Sequence, residues 1–146
     1  MSAEFVVADA SVLLKWYLGD NEPGRIQALL LLDRFRSGKV RILLPEPALY
    51  ELGNRLIRLP ESGLQLFADL VELLTDVVLF EPGDLNLMAQ CALRLHRGGL
   101  KTITMYDCAY IHLARMTGTP LITADHLQAG AAKSLRVAAI LINDYS

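Results

Sequence analysis

The sequence has no apolar run near the roughly 20 residues that a membrane-spanning helix needs, although 53% of its residues are hydrophobic. No basic segment leads an apolar stretch at the N-terminus, so we expect no secretory signal and a cytoplasmic protein. Only two cysteines are present, Cys91 and Cys108, and both fall in apolar helical patterns, which favours buried free thiols. The apolar residues are therefore expected in a core, a subunit interface or a partner surface.

The sequence also lacks a basic excess, because 14 lysines and arginines stand against 16 acidic residues. Net charge therefore gives no argument for nucleic-acid binding. Several site templates are absent too: there is no glycine-rich phosphate loop, no nucleophile elbow and no Cys-x-x-Cys motif. His96, His112 and His126 show no zinc-ligand spacing, so core or surface roles are favoured for them.

Strand-like apolar segments alternate with helical patterns, which predicts an α/β fold in a single domain, residues 1–146. A loop is expected at residues 20–24. Asp84 is expected to cap the fifth helix, whose buried stripe would be Leu85, Met88, Ala92 and Leu95. The predicted strands are 5–8, 40–44, 77–80, 120–123 and 137–142, and the predicted helices are 12–18, 23–37, 47–58, 64–74, 84–97, 104–117 and 126–135.

The second predicted helix contains five consecutive apolar residues, 28–32. A single buried stripe does not need that many. We therefore expect either complete burial in a monomer or dimer, or a surface that receives an apolar segment of a partner protein.

Four acidic residues lie where strands end or on helices that follow crossovers: Asp9, Glu51, Asp107 and Asp125. The first strand has no polar residue inside it and stops at Asp9, as buried strands of parallel sheets do at a ligand-binding edge. Each acid has a simpler explanation. The three aspartates could be helix caps, and the glutamate could be a solvated residue beside Asn54.

The combination of the four acids is more informative than any one of them. If the strands that precede Asp9 and Asp125 are neighbours, all four groups can meet at one edge of the sheet. Four carboxylates at such short distances from one another cannot all stay ionised without a cation. Mg²⁺ and Mn²⁺ take such oxygen ligands, and phosphodiester hydrolysis is the chemistry that suits them.

Four segments occur in the order Asp9-Ala-Ser-Val with Lys15-Trp16 soon after it, Pro45-Glu-Pro-Ala-Leu-Tyr-Glu51-Leu-Gly-Asn54, Tyr106-Asp107-Cys-Ala-Tyr-Ile-His-Leu-Ala114, and Leu121-Ile-Thr-Ala-Asp125. With this order and spacing, the chain resembles a PIN-domain ribonuclease, specifically a VapC-type toxin of a toxin–antitoxin pair. The resemblance covers nearly the whole length.

The resemblance implies a PIN-like three-layer sandwich, with a central five-stranded parallel sheet flanked by about seven helices. It also implies Mg²⁺ or Mn²⁺ as cofactor, an RNA substrate, a homodimer and a cognate VapB-like antitoxin. The family's acidic residues carry over to Asp9, Glu51, Asp107 and Asp125, and its small hydroxyl residue to Thr123. Ser11 and Asn54 are further supporting residues.

Two functions remain open at this point. In a metal-dependent endoribonuclease, Asp9, Asp107 and Asp125 would bind the ion, and Glu51 would complete the shell or orient the water. In a non-catalytic binding module the acids would only cap helices. RNA contacts would have to come from local clusters of cations, for which the candidates are Lys15, Arg55, Arg58, Arg94, Arg97 and Lys101.

Overall fold

The computed structural model of the chain describes residues 2–19 and 21–146, and Asp20 of the expected loop lies outside them. Within the described residues, five strands form one parallel sheet with the order β3-β2-β1-β4-β5. The prediction of an α/β fold around a five-stranded parallel sheet is confirmed, and β1 is its central strand. The strands are β1 (Glu4–Ala8), β2 (Val40–Pro45), β3 (Val77–Val78), β4 (Leu121–Thr123) and β5 (Ala139–Leu141).

Seven α-helices connect these strands in the described part of the chain, and a short 3₁₀ helix follows β5 at Ile142–Asp144. Parallel strands need such crossover connections, because a tight hairpin can join only antiparallel neighbours. The helices are α1 (Ala10–Leu14), α2 (Arg25–Arg36), α3 (Pro47–Leu56), α4 (Gly63–Leu73), α5 (Pro82–Arg97), α6 (Met105–Thr117) and α7 (His126–Ser134).

Several helix boundaries differ from the sequence prediction, and two of the differences have a clear local cause. The helix expected from residue 12 begins directly after Asp9, because the Asp9 side chain accepts a hydrogen bond from the Ser11 backbone N–H and caps the helix. The fifth helix begins at Pro82, and Glu81, not Asp84, is its N-cap. Asp84 occupies the third helical position and accepts from the Glu81 backbone N–H, which completes a capping box.

The buried stripe of α5 is shorter than predicted. Met88, Ala92 and Leu95 are buried, but Leu85 is 47% exposed, which corrects the expectation for that residue. The cysteine prediction is confirmed for Cys108, which is buried, whereas Cys91 on α5 is only half-buried; both are free thiols.

The apolar run of α2 divides between core and surface. Ala28 and Leu31 are fully buried, and the Ala28 carbonyl accepts a hydrogen bond from the Trp16 indole. Leu29 and Leu30 are 39% and 37% exposed. Complete burial within the monomer is therefore excluded for these two leucines.

Helix α6 has six buried residues, more than any other helix in the described part of the chain, and it contacts the central strands β1, β2 and β4. Its buried residues include Ile111 and Ala114, the two that share a face with Asp107. Each Å² of apolar surface that this packing removes from water stabilises the fold by about 25 cal/mol. The packing of α6 therefore fixes the position of Asp107 relative to the end of β1. None of the helices described is long and apolar enough to cross a membrane.

The junction between α3 and α4 gives a prediction about stability. Gly63 opens α4 against the end of α3, and a Cβ there would collide with the Leu56 carbonyl oxygen. Gly63→Ala should lower the free energy of unfolding by about 2–3 kcal/mol and the melting temperature by roughly 5–10 °C, as measured by thermal denaturation.

Gly130→Ala is the matched control for this substitution. Gly130 lies inside α7, and nothing lies within 4 Å of a Cβ built there. Because alanine is the better helix former, this variant should gain about 0.5–1 kcal/mol. Melting temperatures that change in the same direction for both variants would contradict the close contact at Gly63.

Candidate active site

The candidate site lies where the neighbouring strands β1 and β4 end. Ala8 is in register with Ile122, and the Asp9 backbone N–H donates to the Ile122 carbonyl at 2.9 Å. Asp9 directly follows β1, and Asp125 follows β4 after one intervening residue. The expectation that the two strands are neighbours is therefore confirmed, and both carboxylates lie at the same edge of the sheet.

Asp9 is the most buried of the four acids, with only 8% of its surface exposed. Its Oδ2 accepts from the Ser11 backbone N–H at 2.9 Å, and its Oδ1 accepts from the Gln128 amide at 3.3 Å. Burial raises the pKa of Asp9, these hydrogen bonds oppose the rise, and the Asp107 charge adds to it. Asp9 is thus both a helix cap and a buried carboxylate, and its donors Ser11 N–H and Gln128 Nε2 are neutral.

Glu51 lies on α3 and faces Tyr110 of α6. The Tyr110 hydroxyl donates to Glu51 Oε1 at 2.9 Å and accepts from the Ala10 backbone N–H at 3.3 Å. Tyr110 therefore links Glu51 to the backbone that follows Asp9. Burial raises the pKa of Glu51 to about 7; the hydrogen bond from Tyr110 opposes this shift, and the charges of Asp9 and Asp107 add to it.

The Tyr110 phenol stays protonated at every physiological pH. Burial and the charges of Asp9 and Glu51 raise its pKa above the ordinary value. It therefore acts as a fixed neutral donor to the glutamate.

Asp125 is the N-cap of α7, and Asp107 completes a capping box with Thr104, the N-cap of α6, as the simpler explanation predicted. Asp107 Oδ2 accepts from the backbone N–H and the hydroxyl of Thr104 at 2.9 and 3.0 Å. Asp125 Oδ1 accepts from the backbone N–H groups of Leu127 and Gln128 at 2.8 and 3.4 Å. Each of these caps uses one carboxylate oxygen, so capping does not prevent the second oxygen from binding a ligand.

The supporting residues have different environments. Thr123 is fully buried, and its hydroxyl accepts from the Asp125 backbone N–H at 3.0 Å and donates to Gln128 Oε1 at 2.6 Å. Ser11 Oγ accepts from the Ala124 backbone N–H at 3.3 Å, so it also joins the two strand ends. Asn54 is exposed and lies on α3, one turn beyond Glu51.

Tyr110 and Gln128 are site residues that sequence reasoning missed. Gln128 is fully buried on α7 among Ala129, Ala131 and Ala132. A polar residue on a face of small apolar residues was the signal that could have identified it, because a buried amide needs partners. Tyr110 stands three positions after Asp107 and is therefore its neighbour on the helix surface.

The donor set fits a hard divalent cation. It consists of carboxylate oxygens, and the charges of neighbouring acids add to the pKa rise that burial causes at Asp9 and Glu51, so these acids lie close enough to repel one another. Three ion pairs lie outside this set of four acids, namely Lys15–Glu22, Arg41–Asp76 and His112–Asp84. As the side chains stand in residues 2–19 and 21–146, however, no three potential ligands are close enough to hold a metal ion.

The predicted RNA-contacting cations fall into two groups. Arg55, Arg58, Arg94, Arg97 and Lys101 are exposed. Lys15 is buried, and its ammonium lies 3.0 Å from the Glu22 carboxylate. Lys15 is therefore already paired, which weakens the case for its contact with a phosphate.

Comparison with known proteins gives one family and several similar structures. The PIN domain family model matches residues 6–134. A crystal structure of PAE2754 from Pyrobaculum aerophilum is 25% identical with a TM-score of 0.60, covering 97% of this chain and 92% of that one. No curated protein matches the sequence significantly.

Two further structures show the same fold at lower identity. FitAcB from Neisseria gonorrhoeae is 17% identical with a TM-score of 0.70, covering 92% of this chain and 96% of that one. DNA-bound VapBC from Salmonella typhimurium is 17% identical with a TM-score of 0.66, and the coverage is 96% and 98%.

The raised pKa of Glu51 predicts how stability depends on pH. Because the pKa is about 7 in the fold, against 4.5 for a free glutamate, the folded state holds this proton longer than the unfolded chain does. Stability should therefore fall as the pH rises from about 4.5 past 7. Glu51→Gln keeps the acceptor for Tyr110 and removes this loss, so in chelator it should gain about 1–2 kcal/mol over the parent between pH 5 and pH 8, after allowance for solvent screening.

Urea denaturation at both pH values measures the difference. Glu72→Gln, which changes an exposed glutamate on α4, is the matched control. A parent and a Glu51→Gln variant whose unfolding free energies change in parallel with pH would show that Glu51 is an ordinary surface carboxylate.

Proposed function

The chain belongs to the PIN domain family, and from this premise we propose that it is a metal-dependent endoribonuclease of the VapC toxin type. The observation that carries the proposal is that two neutral donors, Tyr110 and Gln128, hold Glu51 and Asp9 near the end of the central strand. Neutral donors orient the two carboxylates and leave them a charge that a divalent cation can compensate. The family supports a nuclease, and the acidic set supports metal-dependent hydrolysis.

In the proposed site, Asp9, Asp107 and Asp125 are the ligands for Mg²⁺ or Mn²⁺. When bound, the ion would lower the pKa of a coordinated water and neutralise negative charge on the phosphate. Glu51 orients the attacking water and accepts its proton, because its carboxylate lies near Asp9 and only one of its oxygens is bonded by Tyr110. Tyr110 holds the Glu51 carboxylate in place and leaves its second oxygen available.

We assign RNA contact to the exposed cations Arg55, Arg58, Arg94, Arg97 and Lys101. Arg55 lies on the same helix as Glu51, four positions further on, and therefore on the same side of α3. Because the chain carries a formal net charge of −2, the electrostatic attraction for RNA comes from these local groups and should be modest and sensitive to salt.

We also propose a cognate antitoxin and a homodimer as its assembly. FitAcB and DNA-bound VapBC share the fold of this chain, and a VapC-type toxin of a toxin–antitoxin pair would have an antitoxin as its partner. Leu29 and Leu30 give α2 an exposed apolar pair, which suits an apolar segment of that partner.

A non-catalytic binding module is the second candidate, and one observation favours it. Asp9 and Asp125 are N-caps and Asp107 completes a capping box, so each has a structural reason to be present. The ribonuclease and the binding module predict different results for a substitution that removes the charge of an acid but preserves its capping hydrogen bonds. Only the ribonuclease should lose an activity.

Asp107→Asn separates the two candidates. Asparagine keeps an oxygen that can accept from Thr104, so the cap and the far-ultraviolet circular dichroism spectrum should not change. Cleavage of single-stranded RNA in Mn²⁺ should fall roughly 100-fold or more, since a metal ligand contributes several kcal/mol to the transition state. Chelator should abolish the activity of the parent.

Asp33→Asn, an exposed position on α2, is the control for a charge lost outside the site. RNA cleavage by Asp107→Asn at the rate of the parent would refute the site assignment. A parent that cleaves no RNA with either metal would favour the binding module.

The α2 surface has a test of its own. Leu29→Glu and Leu30→Glu should each weaken binding of the cognate antitoxin by roughly tenfold or more, because a charge would be buried in the interface. Both variants should fold, whereas Leu31→Glu should not, because Leu31 is fully buried. Titration calorimetry measures the affinity, with Leu64→Glu on α4 as an exposed-leucine control. Unchanged affinity for both variants would exclude this surface.

A further inference from the structure

Gln128 is a fully buried polar side chain at the site, and the proposed mechanism does not use it. It is 0% exposed and lies on α7 behind the acids. Its Oε1 accepts from the Thr123 hydroxyl at 2.6 Å, and its Nε2 donates to Asp9 Oδ1 at 3.3 Å and to the Asp107 backbone carbonyl at 3.4 Å. One amide therefore contacts three of the segments that build the site: the end of β1, the end of β4 and the first turn of α6.

The network determines which way the amide points. The Asp125 backbone N–H donates to Thr123 Oγ1, so the Thr123 hydroxyl proton is available for Gln128 Oε1. The amide nitrogen then faces Asp9. The reverse orientation would place the amide oxygen against the Asp9 carboxylate, where two acceptors would repel each other. The chain of hydrogen bonds from the Asp125 N–H through Thr123 to Gln128 thus orients the Gln128 amide so that its N–H donates to Asp9.

The neutrality of this donor matters for the site. A lysine or arginine at the same place would neutralise the Asp9 carboxylate and compete with a bound cation. An amide orients the carboxylate and leaves its charge in place. Groups that fix the ligands of a metal in this way typically contribute 10- to 100-fold to metal affinity.

We propose that Gln128 is a positioning residue, which aims the Asp9 carboxylate and couples it to Asp125 and to the start of α6 so that the acids bind one cation together. The inference rests on the proposed function, because it assumes that these acids bind a metal. It goes beyond that function in assigning a role to a residue that neither binds the cation nor contacts RNA.

Gln128→Met tests the proposal, because methionine has nearly the same length and shape and no hydrogen-bonding amide. The measured quantity is the Kd of the full chain for MnCl₂, obtained without RNA by electron paramagnetic resonance of free Mn²⁺. We expect the Kd to rise roughly tenfold or more. With RNA, kcat at fixed Mn²⁺ should fall while KM changes less than twofold, since Gln128 is buried away from the RNA surface.

Gln65→Met is the matched control. Gln65 also donates to an aspartate, Asp69, at 2.8 Å, but this pair lies on the exposed face of α4. The control should leave the Kd for Mn²⁺ and the kcat unchanged. It shows the effect of replacing a glutamine that bonds a carboxylate outside the site.

A second variant covers the case in which Gln128→Met does not fold. Gln128→Asn keeps an amide but is one methylene shorter, so it cannot reach Asp9 and Thr123 together. It should show the same rise in Kd, and its melting temperature should respond less to Mn²⁺ than that of the parent.

The outcomes separate this inference from the proposed function. A parent that binds Mn²⁺ and variants that bind it equally well would overturn the role of Gln128 alone. Variants that melt lower in chelator but keep the Kd of the parent would also overturn it, because Gln128 would then only stabilise the fold. A parent that binds no Mn²⁺ would overturn the inference together with metal-dependent catalysis.

Discussion

The parallel pairing of β1 with β4 is the interaction on which the site depends. The hydrogen bond from the Asp9 N–H to the Ile122 carbonyl closes the ladder at the point where both strands end. Because the carboxyl ends of parallel strands lie at the same edge of a sheet, this pairing places Asp9 and Asp125 at one edge. Helix α6, packed across β1, β2 and β4, adds Asp107 and Tyr110 from above the same edge.

Carboxylates that lie close together repel one another and lose contact with water, and both effects oppose this arrangement. The chain counters the repulsion with neutral donors, namely the Ser11 N–H, the Tyr110 hydroxyl, the Thr104 hydroxyl and the Gln128 amide. Each hydrogen bond offsets part of the desolvation of an acid without cancelling its charge. The structural caps and the proposed ligands are thus the same groups, and the capping explanation and the catalytic one are compatible.

Much of the fold could be predicted from the sequence because it depends on local patterns. Alternating apolar segments gave the five strands and seven helices, and the polar-free run before Asp9 indicated the central strand. Boundaries set by side-chain caps were harder: Glu81 and Asp84 are both acceptable caps for α5, and only the geometry shows which one begins the helix. Leu85 was assigned to the core because helical spacing alone does not reveal which neighbour covers a position.

The site could be predicted only in part, because its remaining contacts join residues that are distant in sequence. The acids stood at recognisable strand and helix ends, but the partners of Asp9 and Glu51 come from α6 and α7, and no spacing rule connects them. Lys15 shows the same limit, since its pairing with Glu22 could not be read from the local pattern.

The contact between Asp9 and Gln128 joins residues 119 positions apart, and this separation has a consequence for biosynthesis. Because a chain emerges from the ribosome N-terminus first, β1 is available long before β4 and α7 exist. The central strand must wait for its neighbour, and closing so long a loop is a late event in folding. A nascent chain therefore carries no assembled acid edge until Gln128 has left the ribosome. The proposed RNA cleavage would be withheld while the residues before it are being translated.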